Sequence, residues 1–99
     1  MAKRKIVWSN RAKIRLLNIL EFYQERNKSK TYSIKLYKGI TKEAKLLLKH
    51  PDIGLKTTDE SIRGFIIGYF ILYYEVTEEK IIIHTIWDSR QNPDNKIIK

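Results

Sequence analysis

The stretch IRGFIIGYFILYYEVTEEKIIIHTIW, Ile62 to Trp87, is rich in Ile, Tyr and Phe and is interrupted at only two places, Gly68 and Thr77-Glu78-Glu79-Lys80. β-branched and aromatic residues suit a pleated, half-buried surface, and glycine or a polar cluster between such runs marks a tight turn. The stretch therefore predicts three strands joined by two short turns.

The second turn also predicts a register. Whether it holds two residues or four, Val76 pairs with Ile81, and continuing outward sets Phe70 opposite Trp87. Because side chains alternate, one face should carry Phe70, Leu72, Tyr74, Val76, Ile81, Ile83, Thr85 and Trp87, nearly all apolar and suited to burial under helices. The other should carry Tyr69, Ile71, Tyr73, Glu75, Ile82, His84, Ile86 and Asp88, a mixture suited to contact. Arg63 at the start of the first of these strands and Arg90 just past the last are expected to flank this open face.

Upstream, residues 4–8 read as a strand and Ser9 as the N-cap of a helix from about Asn10 to Arg26. Within it Ala12, Leu16, Ile19, Leu20 and Tyr23 recur on one face of a 3.6-residue period, which should be core. After the polar break Asn27-Lys28-Ser29-Lys30, a second helix from about Thr31 to Lys49 shows two stripes. Leu36, Ile40, Ala44 and Leu47 form the apolar one, flanked by Tyr37 and Leu48; Lys35, Lys38, Lys42, Lys45 and Lys49 crowd into a basic arc on the far side. His50-Pro51-Asp52-Ile53-Gly54 ends this helix, since the residue before proline leaves the α region and glycine permits a turn. A loop of about ten residues follows. The fold class is α+β: an N-terminal strand, a two-helix hairpin, then three antiparallel strands forming one sheet with the helices on one face.

At 99 residues the chain has room for one core, and residues 1–99 are read as a single domain with a flexible tail at 91–99. Hydrophobic residues are 42% of the chain and aromatics 11%, too much burial potential for disorder. Twenty Lys and Arg against 11 Asp and Glu give a formal charge of +9, which draws polyanions or an acidic protein partner. There are no cysteines, so thiolate metal sites, disulfides and cysteine nucleophiles are excluded and a reducing cytoplasm is expected. After the basic start only Ile6-Val7-Trp8 is apolar, so neither a signal peptide nor a membrane span is expected.

His50 and His84 lie on different elements without metal-ligand spacing, and no glycine-rich phosphate loop precedes a helix; no metal and no cofactor are expected. The serines lack a nucleophile elbow. What remains is Lys, Arg and Tyr, suited to phosphate contacts, base stacking and the stabilisation of developing negative charge.

Taken in order, Ile6-Val7-Trp8-Ser9 opening a helix, the His50 to Gly54 break, Ile62-Arg63-Gly64-Phe65, Gly68-Tyr69-Phe70-Ile71-Leu72-Tyr73-Tyr74 and the closing Asp88-Ser89-Arg90-Gln91-Asn92-Pro93 resemble the RelE/ParE superfamily of toxins from bacterial type II toxin–antitoxin systems. The resemblance implies a growth-arresting toxin neutralised by a cognate, acidic antitoxin. In the ParE-like branch the target is DNA gyrase and the protein is not an enzyme. In the RelE-like branch the protein is a ribosome-dependent mRNA endonuclease working with lysines, arginines and a C-terminal tyrosine. Where that nuclease branch has arginine after Gly-Tyr, this chain has Phe70, and its residues 91–99 contain no tyrosine. These departures favour the ParE-like branch over the nuclease, and over a third reading as a non-toxic nucleic-acid-binding or adaptor domain. Arg63 and Arg90 match basic positions of the family and are the candidates for a catalytic role. Arg63, Tyr69, Tyr73, His84, Asp88 and Arg90, with Lys35, Lys38, Lys42, Lys45 and Lys49, are the candidates for contact with target or antitoxin.

Overall fold

A computed structural model describes residues 3–90. Ser9 starts the first helix as its sequence predicts: its hydroxyl accepts the Ala12 N–H at 3.0 Å, satisfying one of the free amides of the first turn. This helix, α1, runs Asn10–Asn27 and follows strand β1, Lys5–Trp8. Lys28 closes it in the left-handed region (φ 50°), and Ser29 at once caps α2, Lys30–Ala44, by accepting the Tyr32 N–H. So short a connection makes the two helices neighbours, and the buried Ser33 hydroxyl donates to the Leu20 carbonyl at 2.7 Å to tie them together.

The second helix is not continuous to Lys49. At Lys45 the hydrogen bonds tighten to a three-residue spacing, Lys45 N–H to Lys42 carbonyl and Leu48 N–H to Lys45 carbonyl. A separate turn, α3, then covers Leu46–Lys49 and buries Leu47 fully.

The strands β2 (Leu55–Lys56), β3 (Arg63–Ile67), β4 (Phe70–Val76) and β5 (Lys80–Asp88) join β1 in one five-stranded sheet of order β1-β5-β4-β3-β2. Two features differ from expectation. The sheet is mixed, because β1 runs parallel to β5, and Leu55–Lys56, expected as loop, pairs antiparallel with the start of β3. The first is a non-local pairing and the second a two-residue edge strand, and neither has a period to read. The helices cover one face: Ala12, Leu16, Ile19 and Tyr23 of α1, with Ile40, Ala44 and Leu47, pack on Phe65, Phe70, Leu72, Tyr74, Ile81, Ile83 and Ile86.

The register corrects the expected faces. Val76 does oppose Ile81, and Tyr74 opposes Ile83, but Tyr73 opposes Thr85, leaving His84 as the extra residue of a β-bulge. Parity reverses beyond it. Phe70 pairs with Asp88 and Leu72 with Ile86, so Ile86 and Asp88 are on the helix side, while Trp87 lies opposite Ile71 and is half-buried. The end of β1 is stitched to this bulge: the Ser9 N–H donates to the Ile83 carbonyl and the Ser9 hydroxyl to the His84 carbonyl, each at 3.0 Å. No helix among the described residues is long and apolar enough to cross a membrane. The expected flexible tail, 91–99, lies outside the described residues.

Candidate functional site

Gly68 and Tyr69 make the turn between β3 and β4, with glycine at the first central position and φ of 60°, the requirement of a type II′ hairpin. Ser89 brings the end of β5 against this turn: its N–H and its hydroxyl both donate to the Tyr69 carbonyl, at 3.0 and 2.9 Å. The next residue, Arg90, is therefore delivered to the turn.

Asp88 fixes how Arg90 sits. Its carboxylate is buried, 6% exposed, and accepts the Tyr23 hydroxyl at 2.6 Å and the Arg90 N–H at 2.9 Å. The Arg90 guanidinium lies over three rings, 4.4 Å from the centroid of Tyr69, 4.8 Å from Tyr23 and 5.9 Å from Phe70. Aromatic faces are electron-rich and attract a cation at this range. Burial opposes the charge on Arg90, but its hydrogen bond to Tyr32 and the nearby Tyr23 and Asp88 outweigh that, so it is held above its ordinary value. Burial and then the bond to Asp88 push the Tyr23 hydroxyl up to about 12. Arg90 is thus a fixed cation, stacked on aromatic rings with its Nε 4.0 Å from the Asp88 carboxylate.

Beside it runs a groove of about 710 Å³ between α2 and the β3–β4 hairpin. Lys35, Lys42 and Arg90 supply its cations, and Tyr32, Tyr69 and Phe70 its aromatic wall. Of the five lysines expected as a basic arc, all are exposed, and Lys35 and Lys42 are the two that reach this groove. Tyr69 belongs to it and is 58% exposed.

Other candidates fall elsewhere. Arg63 does not flank one face together with Arg90. It pairs with Tyr74, four positions along β4 from Phe70, or roughly 13 Å at strand rise. Its Nη1 donates to the Gly54 carbonyl at 2.9 Å, so it braces the loop after α3. The Tyr74 hydroxyl completes that brace, donating to the Pro51 carbonyl at 2.7 Å and accepting the Gly54 N–H at 2.9 Å. A Cβ on Gly54 would stand 2.7 Å from the Tyr74 ring, which is why the His50 to Gly54 motif ends in glycine. Tyr73 and His84 do lie on the helix-free face. The Tyr73 ring covers Gly64, where burial raises its hydroxyl above the ordinary value, and His84 Nε2 meets Glu75 Oε1 at 2.9 Å. Asp88, expected on that open face, is instead the buried anchor of Arg90, for the reason the bulge gives.

Tyr23 and Tyr32 were not legible as site residues: Tyr23 fits a core stripe, and its partner is 65 residues away. A second groove of about 650 Å³ lies along α1, where the Arg15 guanidinium stands 5.3 Å over the Trp87 ring. No group of three or more His, Cys, Asp or Glu among the described residues converges to hold a metal ion.

Residues 6–93 match the model of a family described as the ParE toxin of type II toxin–antitoxin systems, parDE. Comparison with curated proteins gives no match. Among solved structures, the chromosomal ParDE toxin–antitoxin system from P. aeruginosa has a chain with a TM-score of 0.72 at 19% identity, over 85% of this chain and 94% of that one. At that identity the likeness establishes the fold.

Proposed function

The chain belongs to the ParE toxin family of type II toxin–antitoxin systems, and from that premise we propose that it arrests bacterial growth by interfering with DNA gyrase and is neutralised by a cognate antitoxin. The setting of this activity is the cytoplasm. The observation that carries the choice of target is Phe70. It is 4% exposed, packed against Tyr23 in the core, at the position where the nuclease branch presents an arginine. Arg63 is likewise engaged with backbone carbonyls. A phosphodiester cleavage site would need cations converging on one scissile group, and these two positions do not supply them.

Arg90 is the residue proposed to meet the target. It is the exposed, oriented cation of the site, held at a rigid strand end by a buried carboxylate. The antitoxin is proposed to be acidic, matching the +9 charge of the chain. Induced expression of the chain alone in a bacterium tests the toxin reading. Growth should stop, with altered plasmid supercoiling or DNA damage and intact mRNA ends; normal growth with soluble protein present would contradict it, and cleaved mRNA with normal DNA topology would transfer the target to the ribosome.

A further inference from the structure

Gly39 stands inside α2, where glycine costs roughly 0.5–1 kcal/mol relative to alanine. Nothing among the described residues asks for it. Gly39 is not among the residues with positive φ, and a Cβ placed there would meet no atom of the described residues within 4 Å. Yet Gly39 lies on the wall of the groove beside Arg90, on the same helical stripe as Lys35 and Lys42. A gap in the helix surface between two cations, unused by the packing of the described residues, is a place for another molecule to approach closely.

We propose that this groove receives an acidic segment of a protein partner, with an apolar side chain pressed against Gly39 and carboxylates on Lys35 and Lys42. The two lysines are seven residues apart on the helix, about 10 Å along its axis, and that span selects the occupant's spacing. Acidic residues seven apart on a helix share one face and match it. Arg90, clamped on Tyr69 at the end of the groove, offers a planar fork suited to a further carboxylate. The groove is lined by Leu36, Ile40, Ile66 and Ile67 as well as by Lys35, Lys42 and Arg90, whose charge outweighs the carboxylate of Glu43 beside them, and Ile66 is 55% exposed. A phosphodiester backbone would leave this apolar surface wet, whereas an amphipathic segment covers it. That the partner is the antitoxin rests on the functional reading above; the chemistry of the groove does not.

The test uses the full chain, isotope-labelled, and short capped peptides of Glu, Ala and Leu. One peptide has glutamates seven apart bracketing leucine, a second is its scramble, and oligo-thymidylate is the nucleic-acid probe. The patterned peptide should shift the backbone amides of Lys35, Gly39, Lys42, Gly68 and Tyr69 and bind about tenfold more tightly than its scramble. Gly39→Gln fills the opening with a better helix former; it should lower that affinity about tenfold without lowering the melting temperature, as should Lys42→Glu. A scramble that binds equally, shifts confined to other surfaces, or an unaffected Gly39→Gln variant would overturn the proposal, and stronger shifts of the same amides with oligo-thymidylate would replace it with a nucleic-acid site. If growth arrest occurs and is relieved by an antitoxin while the groove amides stay silent, the groove fails and the toxin reading stands. If the patterned peptide fills the groove of a protein that proves harmless to growth, the groove stands and the toxin reading fails.

Discussion

The Tyr23 hydroxyl donates to the Asp88 carboxylate at 2.6 Å, joining the C-terminal part of α1 to the last residue of β5 inside the core. Removing that donor with Tyr23→Phe leaves a buried carboxylate one hydrogen bond short, at a cost of about 1–3 kcal/mol. In a domain of this size the midpoint should fall by roughly 4–8 °C for each kcal/mol. A double-mutant cycle with Asp88→Asn should show coupling of at least about 0.5 kcal/mol, measured by denaturant melts.

The same hydroxyl predicts an alkaline weakness. Its value is pushed up to about 12 in the folded state, against about 10 in the unfolded chain. The neutral form is the one the fold stabilises, so the contribution is fully present below about pH 10 and is lost as pH rises toward 12. The difference in stability between wild type and Tyr23→Phe should therefore shrink across that window. Urea melts on both proteins at the two ends check it.

The bulge at Tyr73/Tyr74 reverses which neighbour matters most near the end of β5. Ile86 is fully buried, and Ile86→Ala should cost about 2–5 kcal/mol. Trp87 is half-buried on the other face, and Trp87→Ala should cost less than Ile86→Ala despite removing more atoms. Thermal midpoints of the two variants rank them directly.

The two arginines should separate in the same way. Arg63→Ala removes charged donors from the Gly54 and Asp52 carbonyls and should cost about 1.5–3 kcal/mol, with any loss of toxicity following the loss of fold. Arg90→Ala removes an exposed cation from its aromatic seat, about 0.5–1 kcal/mol, and should give a folded but harmless protein. Melting curves paired with a growth assay distinguish these outcomes.

Four of the five strands, the Ser9 cap and the core stripes were legible because each is written within a few residues: Ser9 before an amphipathic run, Val76 and Ile81 either side of a polar turn. The bulge was not, because Ile81-Ile82-Ile83-His84-Thr85-Ile86-Trp87 is apolar at nearly every position and satisfies either parity. That one slip moved Ile86 and Asp88 into the core. Arg90 could be picked out by its place in the closing motif, but its seat over Tyr23 and Tyr69 could not, since those rings reach it only through the folded sheet. In the sequence Gly39 looks like any weak point in a helix, and only the open space around it in the fold sets it apart.

The most direct measurement is a supercoiling assay with purified DNA gyrase, relaxed plasmid and ATP, with the chain added as wild type or as Arg90→Ala. Wild-type protein should suppress supercoiling or trap cleaved plasmid, and folded Arg90→Ala should do neither. Unimpaired supercoiling by gyrase at saturating wild-type protein, together with cleavage of mRNA on translating ribosomes, would contradict gyrase as the target.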